Sequence, residues 1–211
     1  MKTFLISMAL LAAPACLAQQ WEFGASAGGS FLTGVPVTVS GGSATAGFKP
    51  GATFGAFLGQ TLYRHLGGEI RYGYIMGDLR VQGGGQEATF TGTAHVLHYD
   101  LLLHTLNHDS RTQLFAAFGG GMKIFRGTGK EAAYQPLNQY VWLTKAQTVK
   151  PMASVGAGVK FSIAPRIFLR LEVHDYITAF PQELITPAPG AKLGGSLLHD
   201  IVPMATLGFV L

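Results

Sequence analysis

The stretch IFLRLEVH, residues 167–174, decides the fold because apolar and ionisable side chains alternate along it. Branched aliphatic residues stand at its odd-numbered positions, whereas Arg170, Glu172 and His174 stand at even-numbered positions. Successive side chains of a β-strand point to opposite faces, so this segment predicts a strand with one apolar face and one charged face. Residues 66–74 repeat the pattern, and two neighbouring strands of this kind would form a charged surface that lipid does not accept.

The charged face is predicted to point into the lumen of a closed barrel. The interior of an eight-stranded barrel is just wide enough to be filled by side chains, so we expect cross-strand ion pairs and hydrogen bonds rather than an open channel. Acids and bases balance in this set, which spares the barrel unpaired buried charges. The predicted lumen charge network is Glu22, Glu69, Arg71, Asp100, Lys123, Lys150, Lys160, Arg170, Glu172, His174 and Asp200.

The periodicity predicts eight strands joined by alternating short and long connections. The strands are placed near residues 21–31, 52–63, 66–74, 88–104, 112–125, 147–162, 167–177 and 197–211. Short turns at 64–65, 106–111 and 163–166 alternate with long connections at 32–51, 75–87, 126–146 and 178–196. Transmembrane barrels have short periplasmic turns and long outer loops. The predicted fold class is therefore all-β: a closed, antiparallel, up-and-down transmembrane β-barrel of about eight strands.

The faces opposite the charges are apolar and are predicted to contact lipid. An open sheet edge in hydrocarbon would leave backbone amides without partners, so the sheet must close. Aromatic residues near the strand ends predict interfacial girdles. We place Trp21, Phe23, Tyr63, Phe161 and Phe209 at the inner end, and Phe31, Tyr74, Phe90 and Phe125 at the outer end.

The N-terminus and the composition indicate export and a membrane environment. Residues 1–18 combine a basic start, an apolar stretch and small residues before the expected cleavage, so they predict a Sec signal peptide ahead of a barrel at residues 19–211. Cys16, the single cysteine, would leave with the signal, which excludes a disulfide. Only 12% of the residues are charged, against about 25% in ordinary soluble domains. A net charge of +4 is too small to indicate nucleic-acid binding.

The last two predicted strands carry the most informative sequences. Residues 168–176 read FLRLEVHDY, and residues 204–211 read MATLGFVL. They resemble the small outer-membrane β-barrel domain family of the OmpA and OmpX type, and the second is similar to the C-terminal assembly signal of that family. The resemblance implies that Leu207, Phe209 and Leu211 form such a signal, through which the barrel-assembly machinery would recognise the chain.

Four histidines crowd one predicted strand and turn, namely His95, His98, His104 and His108. They fall on both faces of the strand, so they force no compact ligand triad. We therefore expect no metal ion and no cofactor.

A lipid A-modifying barrel enzyme is the alternative from the enzyme class. Its candidate groups are His174 with Asp175, or His199 with Asp200 and Ser196. A lipid A deacylase is expected to carry serine two residues after its histidine, where this chain has Tyr176 and Ile201. We therefore predict no catalytic residue and no enzyme activity. A soluble, lipocalin-like barrel is the third class, but it would need more charge on its outside than this chain supplies.

The sequence predicts a monomeric integral protein of the cell outer membrane with a structural, adhesive or surface-interaction role. Passive transport of a small solute is the runner-up. The expected partners are outer-membrane lipid, lipopolysaccharide and the barrel-assembly machinery, with no nucleic acid. Arg126, Lys130 and Lys145 in the third outer loop, together with Lys49 and Lys192, are candidates to meet outer-leaflet phosphates, although exposed lysines are more often merely solvated. The long loops are expected to carry any specificity.

Overall fold

The computed structural model describes residues 20–105 and 110–211. The predicted signal peptide and His108 lie outside these described residues. Within the described ranges, no helix is long and apolar enough to cross a membrane. The strands there, in chain order, are β1 (Trp21–Leu32), β2 (Val35–Val39), β3 (Gly42–Phe48), β4 (Gly51–Tyr63), β5 (Leu66–Met76), β6 (Leu79–Gly83), β7 (Gln86–Phe90), β8 (Gly92–His104), β9 (Thr112–Gly127), β10 (Val141–Leu143), β11 (Gln147–Ala164), β12 (Ile167–Ala179), β13 (Ile185–Pro187), β14 (Lys192–Leu193) and β15 (Leu197–Val210).

Eight of these strands close into an antiparallel barrel, in the order β1-β15-β12-β11-β9-β8-β5-β4, and β4 pairs back with β1. A row of paired residues that starts at Val149 on β11 passes once around the barrel and returns to β11 at Val159, ten residues further along. This offset is the shear of the barrel, which sets a strand tilt of roughly 35–45°. The predicted fold class is confirmed.

The two faces of each barrel strand differ as the alternation of residues requires. On β12, Arg170 and His174 are buried, whereas Leu171 and Val173 are 47% and 44% exposed. Exposed apolar side chains of this kind recur around the barrel, as at Leu114 and Phe118 of β9. Because water does not stabilise so large an apolar band, lipid is the solvent that fits the outside of this barrel.

Aromatic side chains ring the inner end, where short turns at residues 64–65 and 165–166 join the strands. Phe23 of β1 stacks on Phe209 of β15, with 5.5 Å between the ring centroids. The outer girdle predicted from the sequence is wrong for Phe90 and Phe125, which are only 7% and 1% exposed. Both side chains belong to a buried apolar cluster, because the chain continues to fold above the barrel.

The four long connections, predicted as loops, contain six further strands, and a seventh, β7, begins at the end of the second connection. Five of them form an antiparallel sheet in the order β14-β2-β3-β6-β7, and β10 pairs with β13. The strand predicted at residues 88–104 is therefore two strands: β7 ends at Phe90 in the outer sheet, and β8 begins at Gly92 in the barrel. We call these seven strands and the segments between them the outer cap.

The outer cap has an apolar core of its own that continues into the mouth of the barrel. Alternate residues of β2 and β6 are buried, and two of them, Val37 and Leu79, have no exposed surface. They pack in one cluster with barrel residues such as Phe125 and Val202. Leu137 belongs to the same cluster although its φ is +64°, a strained value for leucine that persists where packing holds the chain in place.

Candidate functional site: the charged lumen and the outer cap

Two arginines and two glutamates fill the middle of the lumen, and we call them the central cluster. Arg71 donates to Oε1 of Glu172 over 2.9 Å and to Oε1 of Glu69 over 2.8 Å. Arg170 donates to the second oxygens of the same carboxylates, over 2.8 Å to Glu69 and 2.9 Å to Glu172. No side chain of the four is more than 2% exposed. Their charges cancel in a space where a single unpaired ion would cost several kcal/mol.

Aromatic rings seal the central cluster. The guanidinium carbon of Arg170 lies 4.9 Å from the ring centroid of Phe57 and 4.7 Å from that of Phe115. Such placement adds cation–π attraction to the ion pairs. The hydroxyl of Thr206 donates to Oε1 of Glu172 over 2.7 Å, so the carboxylate is satisfied on several sides.

A second ion pair lies toward the inner end, between Lys160 and Glu22. The Lys160 ammonium also lies 4.2 Å from the ring centroid of Phe168. A recess of about 280 Å³ at this end includes all three side chains in its lining. The other lining residues belong to the inner ends of β1, β11, β12 and β15, so this recess is confined to the inner mouth.

Histidine and aspartate side chains occupy the next level above the central cluster. Asp100 bonds Nδ1 of His98 over 3.0 Å and accepts from the hydroxyl of Ser154 over 3.3 Å. His174 lies between this group and the central cluster, with its Nε2 3.4 Å from Oε2 of Glu172. Gly119 makes the space, because a Cβ there would lie 2.1 Å from Oδ1 of Asp100.

The outermost charged level of the lumen is the pair of Lys123 and Asp200. Their Nζ and Oδ2 atoms are 2.5 Å apart, and Ser30 donates to Oδ1 of the same carboxylate over 2.6 Å. Above this pair stands Phe125, at the floor of the apolar core of the outer cap. The cavity beside Phe125 has about 10 Å³, which is at most the space of one water molecule.

Comparison with known proteins bears on the fold. No protein-family model matches the chain, and no curated protein matches its sequence. Neisserial surface protein A aligns over 90% of this chain and 96% of its own, with 9% identity and a TM-score of 0.51. This chain has the fold of a small outer-membrane β-barrel. The N-terminal barrel domain of OprF from Pseudomonas aeruginosa aligns over 91% of this chain and 97% of its own, with 11% identity and a TM-score of 0.49. Ail from Yersinia pestis, in complex with the heparin analogue sucrose octasulfate, aligns over 90% of this chain and 99% of its own, with 10% identity and a TM-score of 0.47.

The predicted outer-membrane location agrees with this fold and with the exposed apolar band. Ten of the charged or ionisable residues predicted in the lumen of the outer-membrane barrel are buried there. They are Glu22, Glu69, Arg71, Asp100, Lys123, Lys160, Arg170, Glu172, His174 and Asp200.

Lys150 is the predicted lumen residue that lies elsewhere. It bonds Oε1 of Glu183 in the outer cap over 2.7 Å. Its position on β11 has the inward-facing parity of Met152 and Ser154, but it stands above the charged lumen, beside the cap. The hydrogen bond from Lys150 lowers the pKa of the Glu183 carboxyl below its ordinary value. A similar contact with Lys49, at 2.6 Å, lowers the pKa of Glu87.

The lumen also holds uncharged and aromatic groups outside the predicted network. Ser30, Ser154 and Thr206 complete the hydrogen bonding of its carboxylates. The sequence indicates them only by their odd or even position along the strand, which we call parity. Each falls on the same face of its strand as a charged or buried residue. Parity does not reveal which strands face each other across the lumen, and those contacts depend on the barrel shear.

The groups weighed for the alternative of a barrel enzyme lie apart in the structure. His174 points into the lumen while its chain neighbour Asp175 points outward. Asp175 instead bonds Nδ1 of His199 over 2.8 Å on the outer surface of the barrel. Asp200, the other acid weighed as a partner of His199, is buried with Lys123, as the predicted lumen network requires. In the described part of the chain, no three ligand-type side chains form a group that could hold a metal ion.

The C-terminal strand lies at the closing seam of the barrel, between β1 and β12. Leu207 and Phe209 are 47% and 38% exposed on its lipid-facing side. The N–H of Leu211 donates to the carbonyl oxygen of Trp21 over 2.9 Å. The residues predicted as an assembly signal therefore lie on the lipid-facing side of β15, at its inner end.

Proposed function

We propose that this protein is a non-porous outer-membrane barrel whose outer cap serves surface interaction, in a structural or adhesive role. The observation that carries the proposal is the filled lumen. Ion pairs occupy it from Lys160 and Glu22 near the inner end to Lys123 and Asp200 near the outer end. The apolar core of the outer cap lies directly above.

Solute passage, the runner-up, would require these ion pairs to separate and the cap core to open. Separating a buried ion pair leaves each charge unpaired in a poorly hydrated space. Removing one partner of such a pair by mutation typically costs about 3–5 kcal/mol, which indicates the size of the barrier. Several such levels stand in series along this lumen. An interior filled by ion pairs instead stabilises a barrel whose work is done at its outer surface.

The outer sheet offers a suitable surface. Its side chains alternate between the cap core and solvent, as in β2, where Val35 and Val37 are buried and Thr38 is exposed. Cross-strand pairing aligns Thr45 with Gln82, and Gln82 with Glu87. Because the sheet is anchored to the barrel by a packed core, little ordering entropy opposes binding to it. Its exposed face carries Thr38, Ser43, Thr45, Gln82, Glu87, Thr89 and Lys192.

Two measurements on the same protein test this function. Liposomes that contain the folded barrel are expected to take up arabinose no faster than protein-free liposomes, and faster uptake would replace the proposal with solute transport. Cells that display the protein are expected to adhere to immobilised extracellular-matrix glycoproteins or to one another. The double variant Thr45→Glu with Gln82→Glu should reduce this adhesion, and Arg166→Glu at an inner turn should not. Equal adhesion with and without the protein would overturn the adhesive role.

We also propose that β15 delivers the chain to the barrel-assembly machinery. The support is the outward position of Leu207 and Phe209 on the strand that closes the barrel. Replacing Phe209 by serine is expected to lower the amount of heat-modifiable, folded protein in the outer membrane. Refolding of the same variant in detergent should be affected less. An unchanged amount in the membrane would contradict this role.

A further inference from the structure

Arg126 and Lys145 are cations near the outer rim whose charged groups have no acid partner in the described part of the chain. Two other cations at this end are paired, Lys49 with Glu87 and Lys150 with Glu183. The Arg126 and Lys145 side chains are exposed, and both line the same recess. Their charge is therefore available to a ligand.

The recess lies directly above the lipid-facing band. On the outward face of β9, Arg126 follows Ile124, which is paired on either side with Val149 and His95. The outward face from Leu114 to Ile124 spans ten residues of tilted strand. At about 3.3 Å per residue and a tilt of roughly 40°, this length covers the ~25 Å height of a barrel's apolar band. Arg126 therefore stands at the level of the outer-leaflet head groups.

The lining of the recess suits an anion. It has a volume of about 290 Å³ and consists of Arg126, Gly127, Thr128, Lys145, Ala146 and Gln147, with no carboxylate among them. The nearby Glu131 carboxylate accepts from the backbone N–H of Lys145 over 2.6 Å. The two sides of the recess are held together, because the N–H of Gly127 donates to the carbonyl oxygen of Ala146 over 2.8 Å.

We propose that this recess binds a phosphate group of an outer-leaflet glycolipid of the lipid A class. The Arg126 guanidinium donates to two phosphate oxygens, and the Lys145 ammonium contributes a second positive charge. The acyl chains of the same lipid lie against the apolar surface below, at Ile124 and Val149. A phosphate carried by a lipid is favoured over free phosphate because only the lipid uses both the cationic recess and the apolar surface beneath it.

Native mass spectrometry of the full-length barrel in detergent tests this site. The probes are bisphosphorylated lipid A, the same lipid without its phosphates, and inorganic phosphate. Bisphosphorylated lipid A is expected to bind about tenfold or more tightly than the dephosphorylated lipid, through charge-assisted hydrogen bonds. The double variant Arg126→Gln with Lys145→Gln should abolish that preference while remaining heat-modifiable.

The matched control is Lys192→Gln, which removes another exposed cation that lacks an ion-pair partner in the described residues but lies on the sheet of the outer cap. It should keep the full preference for phosphorylated lipid. An equal loss in the control and the double variant would overturn the proposal, since binding would then follow total charge. Retention of the preference by the double variant would also overturn it. Competition by inorganic phosphate at the same concentration as the lipid would show that the site takes a free anion, against the proposal.

Discussion

Arg170 and Glu69 lie 101 residues apart in the chain and meet in the centre of the barrel, with 2.8 Å between Nη1 and Oε2. The contact spans the lumen, because β12 and β5 are not neighbours in the barrel. Together with Arg71 and Glu172 it joins opposite walls through side chains alone. The interior therefore contributes bonds across the barrel that the backbone ladders do not supply.

Replacing Arg170 by alanine is expected to lower the free energy of unfolding by about 3 kcal/mol or more, because Glu69 and Glu172 would then share one arginine in a buried space. Urea unfolding in lipid vesicles, followed by the heat-modifiable gel band, measures this change. Lys150→Ala is the control. It removes an ion pair whose glutamate side chain is 50% exposed, so we expect a loss of at most about 1 kcal/mol. Equal effects of the two variants would contradict the account.

Adding a methyl group at Gly119 should disrupt the lumen. A Cβ there would lie 2.0 Å from the carbonyl oxygen of Tyr99 and 2.1 Å from Oδ1 of Asp100. We expect Gly119→Ala to cost about 2–3 kcal/mol, at the upper end for overpacking. At the next residue, Gly120, the nearest atom to an added Cβ is the carbonyl oxygen of Met152 at 3.3 Å. The free energy of unfolding of Gly120→Ala should therefore lie within about 1 kcal/mol of that of the parent protein. The same vesicle assay ranks the two variants, and a reversed order would refute the inward placement of Gly119.

The native Asp175 is expected to lower the stability of the barrel. It points outward between Val155 and Ile201, and its Oδ1 has no hydrogen-bond partner in the described residues. Because a carboxylate on the lipid face is unfavourable, Asp175→Val should raise the free energy of unfolding by about 1 kcal/mol. Asp200→Val should lower it instead, because Lys123 would lose its partner inside the lumen. A loss of stability in Asp175→Val would show that its bond to His199 outweighs the cost of exposure to lipid.

Acidification should loosen the outer cap at Glu183. The bond from Lys150 lowers the pKa of this carboxyl from its ordinary value of 4.5. A lowered pKa means that the contact stabilises the folded state above the ordinary value and is lost as the pH falls through the lowered value. Hydrogen exchange in β10 and β13 should therefore speed up below pH 4.5 beyond the intrinsic pH effect. The variant Glu183→Gln should lack this additional step. The same increase in exchange in the variant would show that another titrating group causes it.

The sequence was sufficient for the barrel because a strand that is half in lipid and half in a charged lumen must alternate. Parity alone assigned Arg170, Glu172 and Asp200 to the interior. It failed for Lys150, which has inward parity but lies above the charged lumen, beside the outer cap. Parity carries no information on the distance of a residue from the end of the barrel.

The outer cap was not predicted because its strands are short and their alternation is weak. The run VPVTV at residues 35–39 does alternate, and the structure makes it β2. Its burial depends on strands β3 and β14, the latter more than 150 residues away in the chain. The cross-lumen contacts were likewise beyond prediction, because they follow from the shear of the closed barrel and not from any local pattern.

The sealed lumen is tested most directly by the reactivity of a single cysteine at Ser154, whose hydroxyl is buried beside Asp100. In the full chain with Cys16→Ala, the near-isosteric Ser154→Cys is compared with Thr45→Cys on the exposed face of the outer cap. A small, charged, water-soluble thiol reagent should modify Cys at position 45 within minutes and leave the cysteine at position 154 unmodified until the barrel is unfolded. Modification of both positions at similar rates in the folded protein would contradict a sealed lumen.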